Sequence, residues 1–335
     1  MSRETAVPEA QIMQSILGKW ISKPIHVAAT LAIPDILSDG AKSVDVVAKV
    51  TGTHEESLYR LMRALSCVGI FAETEDRTFI NTTLSECLRA DRLRSIALMF
   101  HSKWHDATWD SLLYSIRTGK PAFDEVHGKS AFEWFEAHPS EAAVFHEANN
   151  IKATYSHRVI LDEYDFEGVA SIVDVGGGLG GLAVEILRAY PSMTGVVADL
   201  PGVVRRLAGT LKTHGLEDRL STVECDFFRE IPGGGEVYLL SNVLHDWPDD
   251  KCIAILKNCR RALRPDSRLL IVEAIVTGGN GFSIAKLQDL EVLLMGGGRE
   301  RTEAEFGILL ESAGLTLTEV IPTSESISII ESVPA

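Results

Sequence analysis

Residues Ser171–Glu185 read Ser-Ile-Val-Asp-Val-Gly-Gly-Gly-Leu-Gly-Gly-Leu-Ala-Val-Glu, and few folds accommodate such a run. Ile172, Val173 and Val175 form a β-branched stretch that predicts a strand buried on both faces. Glycines crowd residues 176–181, and Leu182, Ile186 and Leu187 then recur at helical spacing. A strand, a glycine turn and a helix N-terminus together form a cradle for a nucleotide-like ligand. Glycine admits φ > 0 and lets a ligand lie against bare backbone. Two patterns fit the turn. Gly176, Gly178 and Gly181 satisfy the dinucleotide fingerprint G-x-G-x-x-G, and Asp174, Gly176, Gly178 and Gly180 satisfy D-x-G-x-G-x-G. The turn alone does not choose between cofactors.

The chain that follows narrows the choice. From Phe166 onward, apolar runs alternate with helical patterns, which predicts a doubly wound α/β sheet. Strands are expected at Ser171–Val175, Thr194–Ala198, Ser221–Glu224, Val237–Leu240, Leu269–Glu273, Leu315–Val320 and Ile327–Glu331, the last two as a hairpin at the sheet edge. Helices are expected near Gly181–Ala189, Val203–His214, Asp249–Ala262 and Glu303–Ala313. Nicotinamide-binding domains more often have about six parallel strands. Asp199 ends the second strand, where a carboxylate can accept from ribose hydroxyls or simply cap the next helix. Asp226 follows the third strand beside Phe227, so an acid and a phenyl ring could bracket a purine. His245 follows the fourth strand in Leu244-His245-Asp246-Trp247, at the edge where open sheets bind ligands, and an imidazole of ordinary pKa there could take a proton from a hydroxyl.

Composition excludes several classes. At 335 residues the chain suits two domains. With 45% hydrophobic and 24% charged residues it reads as an ordinary globular protein, and it has no run near the ~20 apolar residues of a membrane span. The start, Met1–Ala10, lacks a basic-then-apolar leader. Five cysteines without a C-x-x-C pair suggest a reducing, cytoplasmic setting and no metal cluster. A net charge of −15 argues against nucleic acid as a partner.

Ala10–Leu37 predicts two helices, with Pro24 and Pro34 marking starts or breaks. Ser43–Val50, a turn at Thr51–Thr53, Glu55–Val68 and a hairpin over Phe71–Ile80 then outline a winged helix. A DNA reader would carry a basic excess, but residues 41–90 hold six Lys/Arg against seven Asp/Glu. The module is therefore expected to dimerise, and the alternative of a ligand-sensing winged-helix regulator is disfavoured. Aromatic and His residues crowd Ser95–Tyr164, interrupted by an expected loop at Gly119–Gly128. The expected divisions are a helical winged-helix-like dimerisation domain over 1–95, a helical linker lining the substrate over 96–165, and a Rossmann-like seven-stranded domain over 166–335.

Five motifs in order then carry a resemblance: Asp174–Gly180, Asp199-Leu200-Pro201, Asp226-Phe227-Phe228, Leu244-His245-Asp246-Trp247 and Arg299-Glu300-Arg301-Thr302-Glu303. Together they resemble the S-adenosylmethionine (SAM)-dependent small-molecule O-methyltransferases typified by plant caffeate and animal hydroxyindole enzymes, whose microbial members tailor aromatic natural products in secondary metabolism. The resemblance implies a metal-free enzyme, homodimeric through its N-terminal domain, that methylates a hydroxyl of an aromatic molecule. It implies His245 as general base with Glu273 and Glu300 flanking it. Asp174, Gly176, Gly178, Asp199, Leu200, Asp226, Phe227, Ser241 and Trp247 would meet the cofactor, and His245, Asp246, Leu294 and Met295 the acceptor. Several members have Lys where this chain has Ser241, a departure that bears on cofactor affinity. Some relatives of that family use the cofactor without methylating, in hydroxylation, decarboxylation or pericyclic chemistry.

Overall fold

The computed structural model describes residues 7–324 and 327–335, without the side chains of 154–158, 210, 212 and 213. The first six residues, part of the stretch read above for a leader, lie outside the described residues. The chain divides into two units, Met1–Ala107 with His138–Ile151, and Thr108–Ala137 with Lys152–Ala335.

In the first unit, helices Pro8–Ile16, Lys19–Thr30 and Ile33–Ile36 precede a winged-helix arrangement. Strand β1 (Lys42–Ser43), helices Val44–Thr51 and Glu55–Ser66, and strands β2 (Phe71–Glu75) and β3 (Thr78–Asn81) form it, in sheet order β1-β3-β2. Ala28, Ile33, Val47, Leu58, Met62, Leu65, Phe71 and Phe79 fill its core. Gly52 (φ 66°) ends the first helix of the pair in the left-handed region, as the turn at Thr51–Thr53 requires. Pro24 departs from expectation and lies inside Lys19–Thr30. It removes one backbone bond from that helix, but the helix packs Ala28 and Ala29 into the core, which offsets the loss. At the wing tip, Arg77 pairs with Glu55 (3.2 Å) and Glu56 (3.0 Å), so the hairpin's one basic group is tied to the module's own acids.

The second unit is built on seven strands: β4 (Ser171–Val175), β5 (Thr194–Asp199), β6 (Leu220–Glu224), β7 (Val237–Ser241), β8 (Arg268–Ala274), β9 (Leu315–Pro322) and β10 (Ile327–Pro334). Their order is β6-β5-β4-β7-β8-β10-β9. The first five run parallel. Strand β10 inserts antiparallel between β8 and β9, completing the hairpin expected at the edge, although residues 325–326 of its turn lie outside the described residues. Helices Gly181–Ala189, Pro201–His214, Asp249–Ala262 and Glu303–Ser312 alternate with the strands. One apolar cluster centres on Val175, Leu240, Ile255 and Ile271, another on Val173's neighbours Ile172, Leu187, Leu239 and Val272, so successive strand residues supply opposite faces. The expected loop at Gly119–Gly128 holds a helix, Ala122–His127. Its two glycines are left-handed C-caps, Gly119 closing Leu112–Thr118 and Gly128 closing Ala122–His127. No described helix is long and apolar enough to cross a membrane.

Because chain order reverses between β4 and β7, the C-terminal ends of these strands splay apart and leave a crevice. The sequence motifs gather there.

Candidate active site

The glycine turn leaves β4 with Gly176, Gly178 and Gly180 at φ 68°, 57° and 71°, a backbone that side chains with a Cβ rarely adopt. A Cβ on Gly178 would meet nothing within 4 Å, so open space faces that backbone, whereas one on Gly177 would lie 2.5 Å from the Asp174 carboxyl group packed beneath. Asp199 reaches across from β5: its Oδ2 accepts from Gly178 N at 2.8 Å and its Oδ1 from Leu200 N at 2.6 Å. Asp174 is buried, and neither of its oxygens has a hydrogen-bond partner among the described residues. Burial, then the Asp199 charge, pushes it up to about 7, against a small opposing pull from the Ala183 backbone.

An aromatic wall stands beside the turn. The Phe227 ring lies 3.5 Å from where a Gly176 Cβ would be, Phe227 and Phe228 pack edge to face, and both meet Trp247. Phe132 stacks on Trp247 with ring planes 9° apart. Asp226 is exposed and its Oδ1 accepts from Phe228 N at 3.0 Å, which holds the Phe-Phe turn in shape. Ser241 closes β7, and Asn242 after it takes φ 53°, a strained value that bends the chain into the next turn.

That turn, the 3-10 helix Leu244–Asp246, carries His245. Glu273, fully buried on β8, accepts through Oε1 from the backbone N–H of Val243 (3.1 Å), Leu244 (2.5 Å) and His245 (3.2 Å). It therefore reaches His245 through the backbone, as a helix N-cap would, and not through the ring. Burial raises its pKa to about 7, countered by the His245 charge. At the other end of the turn, Arg301, also fully buried, donates to Leu244 O (3.0 Å), Trp247 O (2.8 Å) and the Asp249 carboxylate (2.8 Å). A carboxyl oxygen that accepts at the N-terminus and a cation at the C-terminus thus complement the turn's dipole.

The imidazole is held separately. Its Nδ1 lies 2.9 Å from Glu300 Oε1 and its Nε2 3.6 Å from Asp246 Oδ1. A carboxylate can only accept, so Nδ1 carries the proton in that bond and Nε2 is the nitrogen left to exchange one. Burial pulls the ring's proton affinity down, but Asp246, the Glu300 hydrogen bond and the charges of Glu273 and Glu300 outweigh it and push His245 up to about 9. The ordinary pKa expected from sequence is corrected upward by these carboxylates.

Helix Ile284–Met295 supplies contacts that its sequence does not announce. Gln288 Nε2 donates to the same Glu300 Oε1 at 2.8 Å, Asp289 accepts from Glu300 N at 2.8 Å, and Glu291 accepts from Trp109 Nε1 at 2.6 Å. Lys152, an exposed residue, lies where the charges of Glu291, Asp246 and Glu300 act on its ammonium. Of the expected pocket pair, Leu294 is fully buried and Met295 half-buried. Gly296–Gly298, readable as a flexible turn, is packed: a Cβ on Gly298 would lie 2.0 Å from His245 O. Among the described residues no group of three or more His, Cys, Asp or Glu is placed to hold a metal ion.

The sequence matches two family descriptions, an O-methyltransferase dimerisation domain over residues 13–91 and an O-methyltransferase domain over residues 109–316. The chain belongs to the O-methyltransferase family. Phenazine O-methyltransferase PhzM of Lysobacter antibioticus is 38% identical over 99% of this chain and 98% of its own length. The crystal structure of LaPhzM covers 98% of this chain and 100% of its own at a TM-score of 0.93, with 37% identity. An O-methyltransferase from neocarzinostatin biosynthesis, NcsB1, solved with SAM and 2-hydroxy-5-methyl naphthoic acid, is 32% identical, covers 94% of this chain and 96% of its own, and has a TM-score of 0.79. Aclacinomycin 10-hydroxylase RdmB of Streptomyces purpurascens is 34% identical over 92% of this chain and 85% of its own length. The chain is thus an SAM-dependent O-methyltransferase with a dimerisation domain and a Rossmann-like catalytic fold. The glycine turn suits that cofactor: open space faces the bare backbone at Gly178, and the Asp199 carboxylate braces that backbone from β5.

Proposed function

We propose that this enzyme methylates a phenolic hydroxyl of an aromatic small molecule, with His245 Nε2 as the general base. The observation that carries this reading is the His245 imidazole itself, oriented by Glu300 on Nδ1, mounted on a turn pinned at both ends, and set at the sheet edge that carries the glycine turn. Asp174, Gly176, Gly178, Asp199 and Leu200 would hold the amino-acid and ribose parts of SAM; Asp226, Phe227, Ser241 and Trp247 would bracket its purine. When bound, SAM supplies an electrophilic methyl carbon. The acceptor O–H would break as its proton passes to Nε2, leaving the oxygen the electron pair it needs as a nucleophile, while the residues that hold SAM would align the methyl carbon with it and keep the sulfur on the far side as leaving group. A phenol titrates near 10, so an imidazole at about 9 is nearly matched to it, and the transfer costs little in either direction. Asp246 and Glu300 stabilise the imidazolium that forms. Asp246 and Met295 are the acceptor contacts we favour, with Leu294 packed behind them.

Calorimetric titration tests the cofactor half of this reading. SAM and S-adenosylhomocysteine should bind and NAD should not; binding of NAD alone, or of neither sulfur nucleoside, would sink it. A screen of phenols by product mass then separates methylation from the second reading, cofactor-dependent hydroxylation, which the 34% identity to a hydroxylase motivates.

The enzyme acts as a homodimer through its first unit. Helix Pro8–Ile16 buries none of its residues, and Ile12, Ile16 and Trp20 are 59%, 65% and 72% exposed, an apolar face that a second copy would cover. Light scattering should give twice the chain mass for the wild type and the chain mass for an Ile16→Glu/Trp20→Glu variant. A monomeric wild type would refute the assembly.

A further inference from the structure

Outside the residues with assigned roles, one contact touches the proton acceptor at a single remove. Glu300 Oε1 serves two donors at once, His245 Nδ1 at 2.9 Å and Gln288 Nε2 at 2.8 Å, while Glu300 Oε2 is buried with no hydrogen-bond partner. The Glu300 backbone is fixed independently by its N–H bond to Asp289. Backbone placement alone leaves the plane of the carboxylate free to rock about its last torsion, because that torsion is broad. The Gln288 amide, a second donor to the oxygen that faces the imidazole, restrains that plane.

We infer that Gln288 is a positioning residue for the reaction: by donating to Glu300 Oε1 beside His245, it holds the plane of the carboxylate that orients the imidazole and shares the charge that the imidazole feels. The inference rests on the reading of His245 as the base. Two consequences follow. With Gln288 present, the accepting oxygen divides its charge between two N–H groups, so its bond to the imidazolium is weaker than it would be alone. Without it, Oε1 serves His245 only, the imidazolium is held more tightly, and less neutral imidazole is available below its titration. The groups facing His245 are Asp246 on the same turn, Glu273 from β8, and Glu300; Lys152 faces Asp246 and Glu300, and Gln288 is the neutral member of the set. Removing a neutral donor changes how charge is shared without changing the total.

The test is the imidazole titration of His245, followed by nuclear magnetic resonance of labelled full-length enzyme and assigned by difference from His245→Ala. Gln288→Met keeps length and apolar stem but not the donor. It should raise the His245 midpoint by about half to one unit, leaving three- to ten-fold less neutral imidazole at a fixed pH below it. Gln288→Glu, which adds a negative charge at the same length, should raise it further. In a Glu300→Gln background the Gln288→Met change should leave the midpoint where that background puts it, because the route of action is gone. A merely structural Gln288 would lower the melting temperature of both single variants and leave the titration unmoved, and that result would overturn the proposal. Should His245→Ala prove fully active, the base reading fails, while the titration still decides what Gln288 does.

Discussion

Replacing His245 with alanine is expected to lower kcat by about 10²–10⁴-fold and to leave SAM affinity within about twofold of the wild type. The contacts of its side chain run to Glu300 and Asp246, so the glycine turn and Asp199 keep their geometry without it. The pH profile supplies a second signature. Because the carboxylates push His245 up to about 9, the imidazole is protonated in the free enzyme at neutral pH. Only the neutral form accepts a proton, so kcat/KM for an un-ionised phenol should climb with pH and level off near 9. A wild-type rate in His245→Ala, or a profile flat between pH 6 and 9, would remove His245 from the chemistry. For an acceptor that arrives already ionised, the rate should instead stay level below 9 and fall above it, where the imidazolium that pairs with the phenolate is lost.

The second large effect is expected from Gly298→Ala. An added Cβ would lie 2.0 Å from His245 O and 2.6 Å from the Asp246 carbonyl carbon, both backbone atoms that no rotamer change can clear. The neighbouring Arg299 N–H donates to that same His245 oxygen at 2.9 Å, so the two chains are already in close register. Moving the turn would also lengthen the Glu273 and Arg301 bonds. A destabilisation of about 2–4 kcal/mol is expected, read as a drop in melting temperature of roughly 5–10 °C. Any folded fraction should show kcat reduced by about 10²-fold, because a base displaced by ~1 Å no longer lines up with its acceptor. A variant with native melting temperature and rate would show that the packing seen here is looser in solution. Gly296→Ala serves as the control, since its Cβ would make only an ordinary 3.5 Å contact with Asp246 O.

Legibility from sequence followed burial and chain proximity. Strands β4, β7 and β8 announce themselves because a parallel strand covered on both faces is a nearly continuous apolar run, and Val237–Leu240, Leu269–Val272 and, with Asp174 as its one polar residue, Ile172–Val175 are such runs. The glycine turn and the acids at strand ends are legible because local backbone demands and sheet topology dictate them. The manner in which Glu273 acts is not, since its three N–H partners come from a turn nearly thirty residues earlier and only the fold brings them together. Gln288 was invisible for the same reason: a glutamine on a helix with apolar neighbours carries no signal until Glu300 lies beside it. Pro24 shows the opposite error, a strong local signal read as a start or break where packing kept the helix whole. Gly119 and Gly128 do end helices as expected, but the stretch between them is a helix and not the loop they suggest.

The turn bearing His245 is clasped by Glu273 from a strand and by Arg301 from the segment after Gly298, and both clasping groups lie wholly inside the protein. Neither side chain has surface to offer an incoming molecule. On the proposed reading, these two groups serve the base only through the backbone of its turn. A half-buried side chain such as Met295 could then diverge to suit a differently shaped acceptor while the clasp keeps the base in place. A change in substrate range would leave Glu273 and Arg301 untouched.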